Sequence, residues 1–194
     1  MPEDRLKPPL TLKPLTPLGH ALPETRTIGA VTITETIDTA LASLASRLGR
    51  EPEVAAAAAA AGIPLPGPGA ARSGTPCGSF WLGPDQWMIE APFASHEDIL
   101  AHLRPIFGEA ASLTEQTDAW ARFDLTAPDL PALFERLCPL DMRSMAAGAA
   151  TRTVIEHLGC YVIRRAPDYI SVLGPRSAAA SLHHALITAA KSAF

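Results

Sequence analysis

The chain has 194 residues, of which 47% are hydrophobic and 19% are charged, and its formal net charge is -4. This length fits one domain, or two small intertwined halves, better than two independent domains. The negative net charge argues against the clustered Lys and Arg that nucleic-acid binding requires, so we expect no nucleic-acid partner.

The cysteine content and the N-terminal sequence indicate in which cellular compartment the protein is expected. Cys77, Cys138 and Cys160 form no Cys-x-x-Cys pair, and an odd number cannot close into a complete disulfide set. Residues 1–20 carry charges and prolines but no apolar signal segment, and no stretch is apolar enough to span a membrane. The sequence therefore predicts a cytoplasmic protein with no membrane association.

The N-terminal third combines a proline-rich segment with one strand and two helices. Residues 1–24 have proline every few positions, which predicts an extended segment that docks on something larger. The β-branched alternation of 28–36 predicts a strand. Asp38 can cap a helix over 39–48, and the alanines of 53–61 predict a second helix.

An Ala-, Pro- and Gly-rich linker at about 51–78 marks the expected internal boundary of a single α+β domain over 25–194. Residues 79–90 contain two short apolar pieces around Gly-Pro-Asp, which predict a bent strand or hairpin. A short helix, capped by Ser95, is expected to stop near Pro105.

The second half of the chain is richer in strands. The predicted elements are a strand at 117–125, a helix at 131–137, three β-rich pieces at 151–155, 160–164 and 169–173, and a helix at 176–191. This order favours an α+β fold of mostly antiparallel sheets with helices on one face. The runs that begin at Phe80 and Phe123 both lead to Pro-Asp, which suggests two related halves.

No complete set of catalytic groups emerges from the sequence, and no catalytic, cofactor-binding or metal-ligating residue is predicted. His183 and His184 are adjacent, so on a helix they point about 100° apart, and a surface pair is favoured over a metal site. Cys138 and Cys160 lie in apolar surroundings and are expected to be buried and inert. The acidic residues that we expect to be solvated caps are Asp118, Asp124, Asp129 and Asp141.

Arginine and tryptophan supply the candidate contacts with other proteins. Arg152, Arg164, Arg165 and Arg176 form the one positive concentration, and an interface role is favoured over a small-anion site. His157 precedes a turn and is interpreted as a structural or interface residue. The candidate interface residues are Trp81, Trp87, Trp120, Arg152, His157, Arg164, Arg165 and Arg176.

Six short motifs, spread in order over about 79–186, resemble the gamma subunit of heterotetrameric sarcosine oxidase. They are Leu82-Gly-Pro-Asp-Gln-Trp-Met-Ile, Asp118-Ala-Trp-Ala-Arg-Phe-Asp-Leu, Leu133-Phe-Glu-Arg-Leu-Cys-Pro-Leu-Asp, Gly148-Ala-Ala-Thr-Arg-Thr, Glu156-His-Leu-Gly-Cys-Tyr-Val-Ile-Arg-Arg and Val172-Leu-Gly-Pro-Arg-Ser. The resemblance implies a fold like the folate-binding domain of the glycine-cleavage aminomethyltransferase.

The resemblance also implies an accessory role in oxidative demethylation of sarcosine to glycine and formaldehyde, or to methylenetetrahydrofolate when tetrahydrofolate is present. The implied partners are alpha, beta and delta subunits, with FAD, FMN and NAD in alpha and beta and zinc in delta. Aminomethyltransferases carry a catalytic aspartate after a glycine pair, whereas Leu158-Gly-Cys-Tyr-Val has no carboxylate. The alternatives are a freestanding folate-binding protein and the equivalent subunit of a related N-methyl amino acid oxidase or dehydrogenase.

Overall fold

The computed structural model describes residues 12–194, and within them it confirms an α+β fold of two antiparallel sheets and four helices. The strands are Thr25–Ile28 (β1), Val31–Thr36 (β2), Thr39–Ser46 (β3), Ala71–Arg72 (β4), Gly78–Gly83 (β5), Gln86–Pro92 (β6), Ala111–Glu115 (β7), Trp120–Thr126 (β8), Ala150–Ile155 (β9), Leu158–Ala166 (β10) and Tyr169–Pro175 (β11). The helices are Glu51–Ala60 (α1), Ile99–Phe107 (α2), Leu130–Phe134 (α3) and Ala179–Ala193 (α4).

The two sheets come from two halves of the chain that share one topology, as expected from the sequence. The first half runs β3-α1-β4-β5-β6-α2-β7 and forms a sheet in the order β4-β5-β6-β3-β7. The second half runs β8-α3-β9-β10-β11-α4 and forms the order β9-β10-β11-β8. The N-terminal strand β2 lies beside β8 in the second sheet, at the position that β7 holds beside β3 in the first, and β1 adds one more strand outside β2. The first half is a split βαβ unit with one extra edge strand, and the second half repeats this arrangement with β2 in place of its last strand.

The repeat that the structure supports differs from the one suggested by the sequence. Phe80 is on β5 and Phe123 on β8, and these strands hold different places in their halves. The equivalent stretches are 69–71 and 148–150, each Gly-Ala-Ala before an edge strand, with the glycines at φ 69° and 82°. Positive φ is readily adopted only by glycine, which explains the residue type at both places.

The edges of the two sheets meet at these glycines. The amide of Ala71 donates to the carbonyl of Gly148 at 2.7 Å, and the amide of Ala150 donates to the carbonyl of Gly69 at 2.9 Å. The halves are joined in sequence at 116–119, between β7 and β8, and not in the 51–78 stretch where the sequence placed the boundary. That stretch contains α1 and β4 of the first half.

Apolar residues form a core on both faces of each sheet. The helices α3 and α4 cover the outer face of the six-stranded sheet, and α1 and α2 cover the outer face of the five-stranded sheet. Between the sheets lies a smaller cluster whose large buried members are Leu41, Phe80, Met88, Ile163 and Leu173. The helices therefore occupy one face of each sheet, and the inner faces are left for contacts between the halves.

Two local predictions are wrong, and the strands β1, β4 and β7 were not predicted. Residues 39–46 form the strand β3 instead of a helix, because β3 pairs with both β6 and β7 and tertiary pairing overrides the helix propensity of its alanines. The helix α2 is capped by Asp98, not by Ser95, and it continues through Pro105 to Phe107.

The described part of the N-terminal segment, residues 12–24, has no helix or strand and docks on the body of the chain. Arg176 Nη2 donates to the carbonyl of Leu15 at 2.9 Å. The buried carboxylate of Glu35 accepts from the amides of Leu18 and Glu24 at 2.9 and 3.1 Å. Residues 1–11 lie outside the described part. Within 12–194, no helix has the length and apolar character needed to cross a membrane.

Candidate functional site

The strand β8 places polar side chains between the two sheets. Side chains alternate along a strand, so Ala121, Phe123 and Leu125 face α3 and α4 while Arg122 and Asp124 face the other sheet. An amphipathic strand of this kind normally turns its polar face to water. Here that face is covered by the first half of the chain.

Arg122 and Asp124 form a bidentate ion pair on this face. Arg122 Nε and Nη2 donate to the two carboxylate oxygens of Asp124 at 2.8 and 2.9 Å. Tyr169 on β11 donates its hydroxyl to Asp124 at 2.6 Å. Arg122 also donates to the Thr39 hydroxyl at 3.1 Å, which links the second half to the first.

A second ion pair crosses from one sheet to the other. Arg165 on β10 donates through Nη1 and Nη2 to both carboxylate oxygens of Glu90 on β6, at 2.9 and 2.6 Å. The Nε of Arg165 donates to Ser171 at 3.0 Å, and Arg122 Nη1 lies 3.8 Å from Glu90. The four charged side chains are 11–16% exposed, and their formal charges cancel.

Burial and pairing act in opposite directions on these groups. Burial tends to raise the pKa of Asp124, but the Arg122 charge and the hydrogen bonds from Arg122, Tyr169 and Ser171 hold it below its ordinary value. Burial and the hydrogen bond to Asp124 raise the pKa of Tyr169. Asp124 is therefore an ionised acceptor at neutral pH, and Tyr169 is a neutral donor.

We expect Asp124→Asn to destabilise the protein in a pH-dependent way. The folded-state pKa of Asp124 lies below the unfolded value of about 3.9, so its contribution is complete above about pH 4 and is lost as the pH falls through the folded pKa. The loss should be about 1.5–3 kcal/mol at pH 7 and should shrink at about pH 2.5, as measured by urea unfolding at both pH values.

The matched control is Asp118→Asn. The side chain of Asp118 is 86% exposed and lies 3.3 Å from Arg176, so its replacement should change the unfolding free energy by less than about 0.5 kcal/mol. An equal loss for Asp124→Asn at both pH values would contradict the ion-pair interpretation.

A cleft of about 470 Å³ opens beside the polar cluster. Its walls come from the docked segment 14–17, from the connection between β2 and β3, and from Trp120, Arg122 and Arg176. A second depression of about 290 Å³ is lined by Glu90, and Thr39 and Arg122 line both spaces. The Arg122 guanidinium therefore separates two openings at the junction of the halves.

The described residues that line the cleft offer groups for binding. Among the described residues that line it, none is His, Cys or Lys, and its one carboxylate, Asp118, faces solvent beside Arg176. Arg122 and Arg176 each already have an anionic partner in the chain. The cleft can accommodate an apolar or aromatic group against Trp120, but its described lining holds no nucleophile with an adjacent general base.

The candidate interface residues do not form a single patch. Arg152 is exposed on β9, and its guanidinium lies 5.9 Å from the centre of the Tyr161 ring. His157 is exposed in the turn between β9 and β10 at φ 66°. Arg176 is half-buried between Leu15 and Asp118.

Two of the arginines are used inside the chain. Arg164 donates to the carbonyls of Met142, Met145 and Pro167, which ties down the loop before β9. Arg165 pairs with Glu90.

The three candidate tryptophans are half-buried. Trp87 donates to the carbonyl of Pro66 at 2.8 Å, and Trp120 packs against Tyr161 with ring centres 5.2 Å apart. Trp81 lies opposite Trp87 in the β5–β6 pair. The interface role of the eight candidates stays a prediction.

The expected solvated carboxylates divide into two groups. Asp129 caps α3 and Asp141 accepts from the amides of a turn, as expected. Asp124 is not a solvated cap, because it is the partner of Arg122. One feature of the sequence could have indicated this pairing: Arg122 and Asp124 are two residues apart, which puts both side chains on one face of a strand.

The expected surface histidine pair is half correct. His184 is exposed, whereas His183 is buried and stacked on Phe123 with ring centres 5.2 Å apart, because α4 turns this position toward the sheet. Burial lowers the pKa of His183.

Both predicted inert cysteines have raised pKa values. Burial raises the pKa of the Cys160 thiol to about 11 and also raises that of Cys138. Cys160 is fully buried and Cys138 is half-buried. Thiols of this kind stay protonated at neutral pH and are poor nucleophiles.

The fold and the packing of its two halves resemble the folate-binding-like domains of aminomethyltransferases and sarcosine oxidase. A chain of the heterotetrameric sarcosine oxidase from Corynebacterium sp. U-96, solved in complex with pyrrole 2-carboxylate, superposes with a TM-score of 0.72 at 22% identity. The superposition covers 87% of this chain and 88% of that one. The glycine cleavage system aminomethyltransferase T from Bartonella henselae superposes with a TM-score of 0.59 at 14% identity, over 81% of this chain and 48% of that one. Neither a family model nor a curated protein matches the sequence.

Proposed function

We propose that this chain is the accessory, gamma-type subunit of a heterotetrameric oxidase that demethylates sarcosine or a related N-methyl amino acid. The observation that carries the proposal is the end-to-end structural likeness to a chain of such an oxidase, which covers 88% of that chain but only 48% of the aminomethyltransferase. The six sequence motifs, which resemble the gamma subunit of heterotetrameric sarcosine oxidase, also support it. At 22% and 14% sequence identity, the superpositions show a shared fold.

The internal use of charged groups supports an accessory role. The buried carboxylates and guanidiniums between the sheets are paired with each other, so they are not free to act on a substrate. In this proposal, FAD, FMN, NAD and zinc belong to alpha, beta and delta partners. Tetrahydrofolate would accept the one-carbon unit within the complex, and the candidate interface residues would contact the partners.

Affinity purification of the tagged chain from cells that express its natural partners, followed by mass spectrometry, tests this proposal. We expect three flavoenzyme-complex partners, flavin absorbance and sarcosine turnover in the purified material. The same chain purified alone should show neither flavin absorbance nor turnover. Recovery of a lone monomer from the native cells, or sarcosine turnover by the isolated chain, would contradict the proposal.

The cleft beside Trp120 favours a second candidate, a freestanding folate-binding protein. Its size and aromatic wall suit a small aromatic ligand. Calorimetric titration of the isolated chain with tetrahydrofolate separates the two candidates. The subunit proposal predicts no tight binding, whereas micromolar or tighter binding that is weakened by Trp120→Ala would favour the freestanding protein.

A further inference from the structure

Three potential metal ligands lie together at the edge of the outer core of the first half. Cys77 immediately precedes β5, His96 follows the short 3-10 turn after β6, and His102 is on α2. One ligand atom from each lies within 4.8 Å of the others. His96 and His102 are separated by five residues, which is a spacing found among zinc ligands, but Cys77 precedes His96 by nineteen residues and has no second cysteine near it, so the sequence predicts no metal site.

The separations are close to those that a bound ion requires. Zn–N bonds of about 2.0–2.1 Å and a Zn–S bond of about 2.3 Å place tetrahedral ligand atoms about 3.3–3.6 Å apart. The ligand atoms must therefore approach one another by at most about 1.5 Å for an ion to bind.

The orientation of His96 also fits a ligand. Its Nδ1 is 2.9 Å from the hydroxyl of Ser95. The Ser95 hydroxyl donates to the carbonyl of Pro92 at 3.4 Å, so its oxygen can accept a hydrogen bond from Nδ1–H of His96. In that tautomer Nε2 has a free lone pair, and metal-binding histidines usually have a fixed outer partner of this kind. The ring of His96 meets that of His102 edge to face, with centres 4.8 Å apart at 88°.

A cysteine beside histidines is also the arrangement of a catalytic nucleophile, but burial argues against that here. Cys77 is 1% exposed and packs in the same apolar cluster as Ile99 and Leu103, so a substrate carbonyl has no access to its sulfur. One thiolate and two imidazoles are ligands typical of Zn²⁺.

We propose that Cys77, His96 and His102 bind one Zn²⁺ ion, with water in the fourth position. The ion joins the loop before β5 to α2 and so fastens the helix to its sheet. This site is separate from the zinc attributed above to a delta partner, and it does not depend on the proposed function. The sequence predicts no metal ligand in this chain, and on that prediction the following test would show no metal binding.

The test is titration of the full-length chain, first freed of metal with a chelator, with Co²⁺ as a spectroscopic probe. We expect one equivalent to give the near-ultraviolet thiolate-to-cobalt charge-transfer band and the visible bands of tetrahedral Co²⁺, and Zn²⁺ to displace both. Cys77→Ser should abolish the charge-transfer band, and His102→Gln should weaken binding by more than about 100-fold. Ser95→Ala should weaken it by about 10- to 100-fold.

Cys138→Ser is the matched control, because Cys138 is a cysteine outside the cluster, and it should bind Co²⁺ like the unchanged chain. Circular dichroism of each variant checks that it is folded, and His102→Gln decides the matter if Cys77→Ser unfolds. The proposal is overturned if the folded chain gives no charge-transfer band, or if the band persists in Cys77→Ser.

Discussion

Replacing Phe80 with alanine should lower the free energy of unfolding by about 3–5 kcal/mol. Phe80 is fully buried between the sheets, and its ring lies 5.4 Å from that of Tyr161 in the opposite half. The inter-sheet cluster is small and includes two alanines, so few neighbouring side chains can move into the cavity. Urea unfolding followed by circular dichroism measures the change.

Two further variants separate loss of inter-sheet packing from a general effect of substitution. Phe80→Leu keeps much of the apolar contact and should lose clearly less stability than the alanine variant. Leu48 is 98% exposed, so Leu48→Ala should change the unfolding free energy by less than about 0.5 kcal/mol. A loss below about 1 kcal/mol for Phe80→Ala would show that the two halves do not depend on this contact.

The sequence predicted the elements well where apolar alternation is strict. The strands β8, β10 and β11 and the helix α4 lie within a few residues of their predicted positions, because their buried faces follow the periods of a strand or a helix. The strand β3 was not predicted, because its alanine-rich sequence fits the period of a helix as well as that of a strand. Its neighbours β6 and β7 decide its conformation, and they are distant in sequence.

The candidate site was less predictable than the fold. Period-two alternation showed that Arg122 and Asp124 share a face of β8, but it did not show that a second sheet covers that face. The partner of Arg165 is Glu90 on the other sheet, and nothing local to either residue indicates the pairing. The cluster of Cys77, His96 and His102 was not predicted either, because Cys77 comes from a different segment of the chain than the two histidines.

The second large effect concerns the ion pair that joins the sheets. Glu90→Ala should cost about 3–5 kcal/mol, because it leaves the buried guanidinium of Arg165 without a carboxylate partner. The penalty should change little with salt, since buried pairs are screened much less than exposed ones. Urea unfolding at low and high ionic strength measures both quantities.

The control for burial is Glu135→Ala, which removes an ion pair with Arg143 whose side chains are 53% and 68% exposed. That variant should lose less than about 1 kcal/mol.

The origin of the Glu90 penalty is tested by removing both charges together. In the double variant Glu90→Leu with Arg165→Met, no guanidinium is left unpaired at this position, and apolar side chains fill a similar volume. Such replacements are often neutral or stabilising, so the double variant should recover at least half of the stability lost in Glu90→Ala. If it is instead as unstable as Glu90→Ala, the pair itself holds the sheets together. Recovery would mean that apolar packing around Phe80 joins the halves, and that the ion pair mainly fixes how the two sheets are aligned beside the cleft.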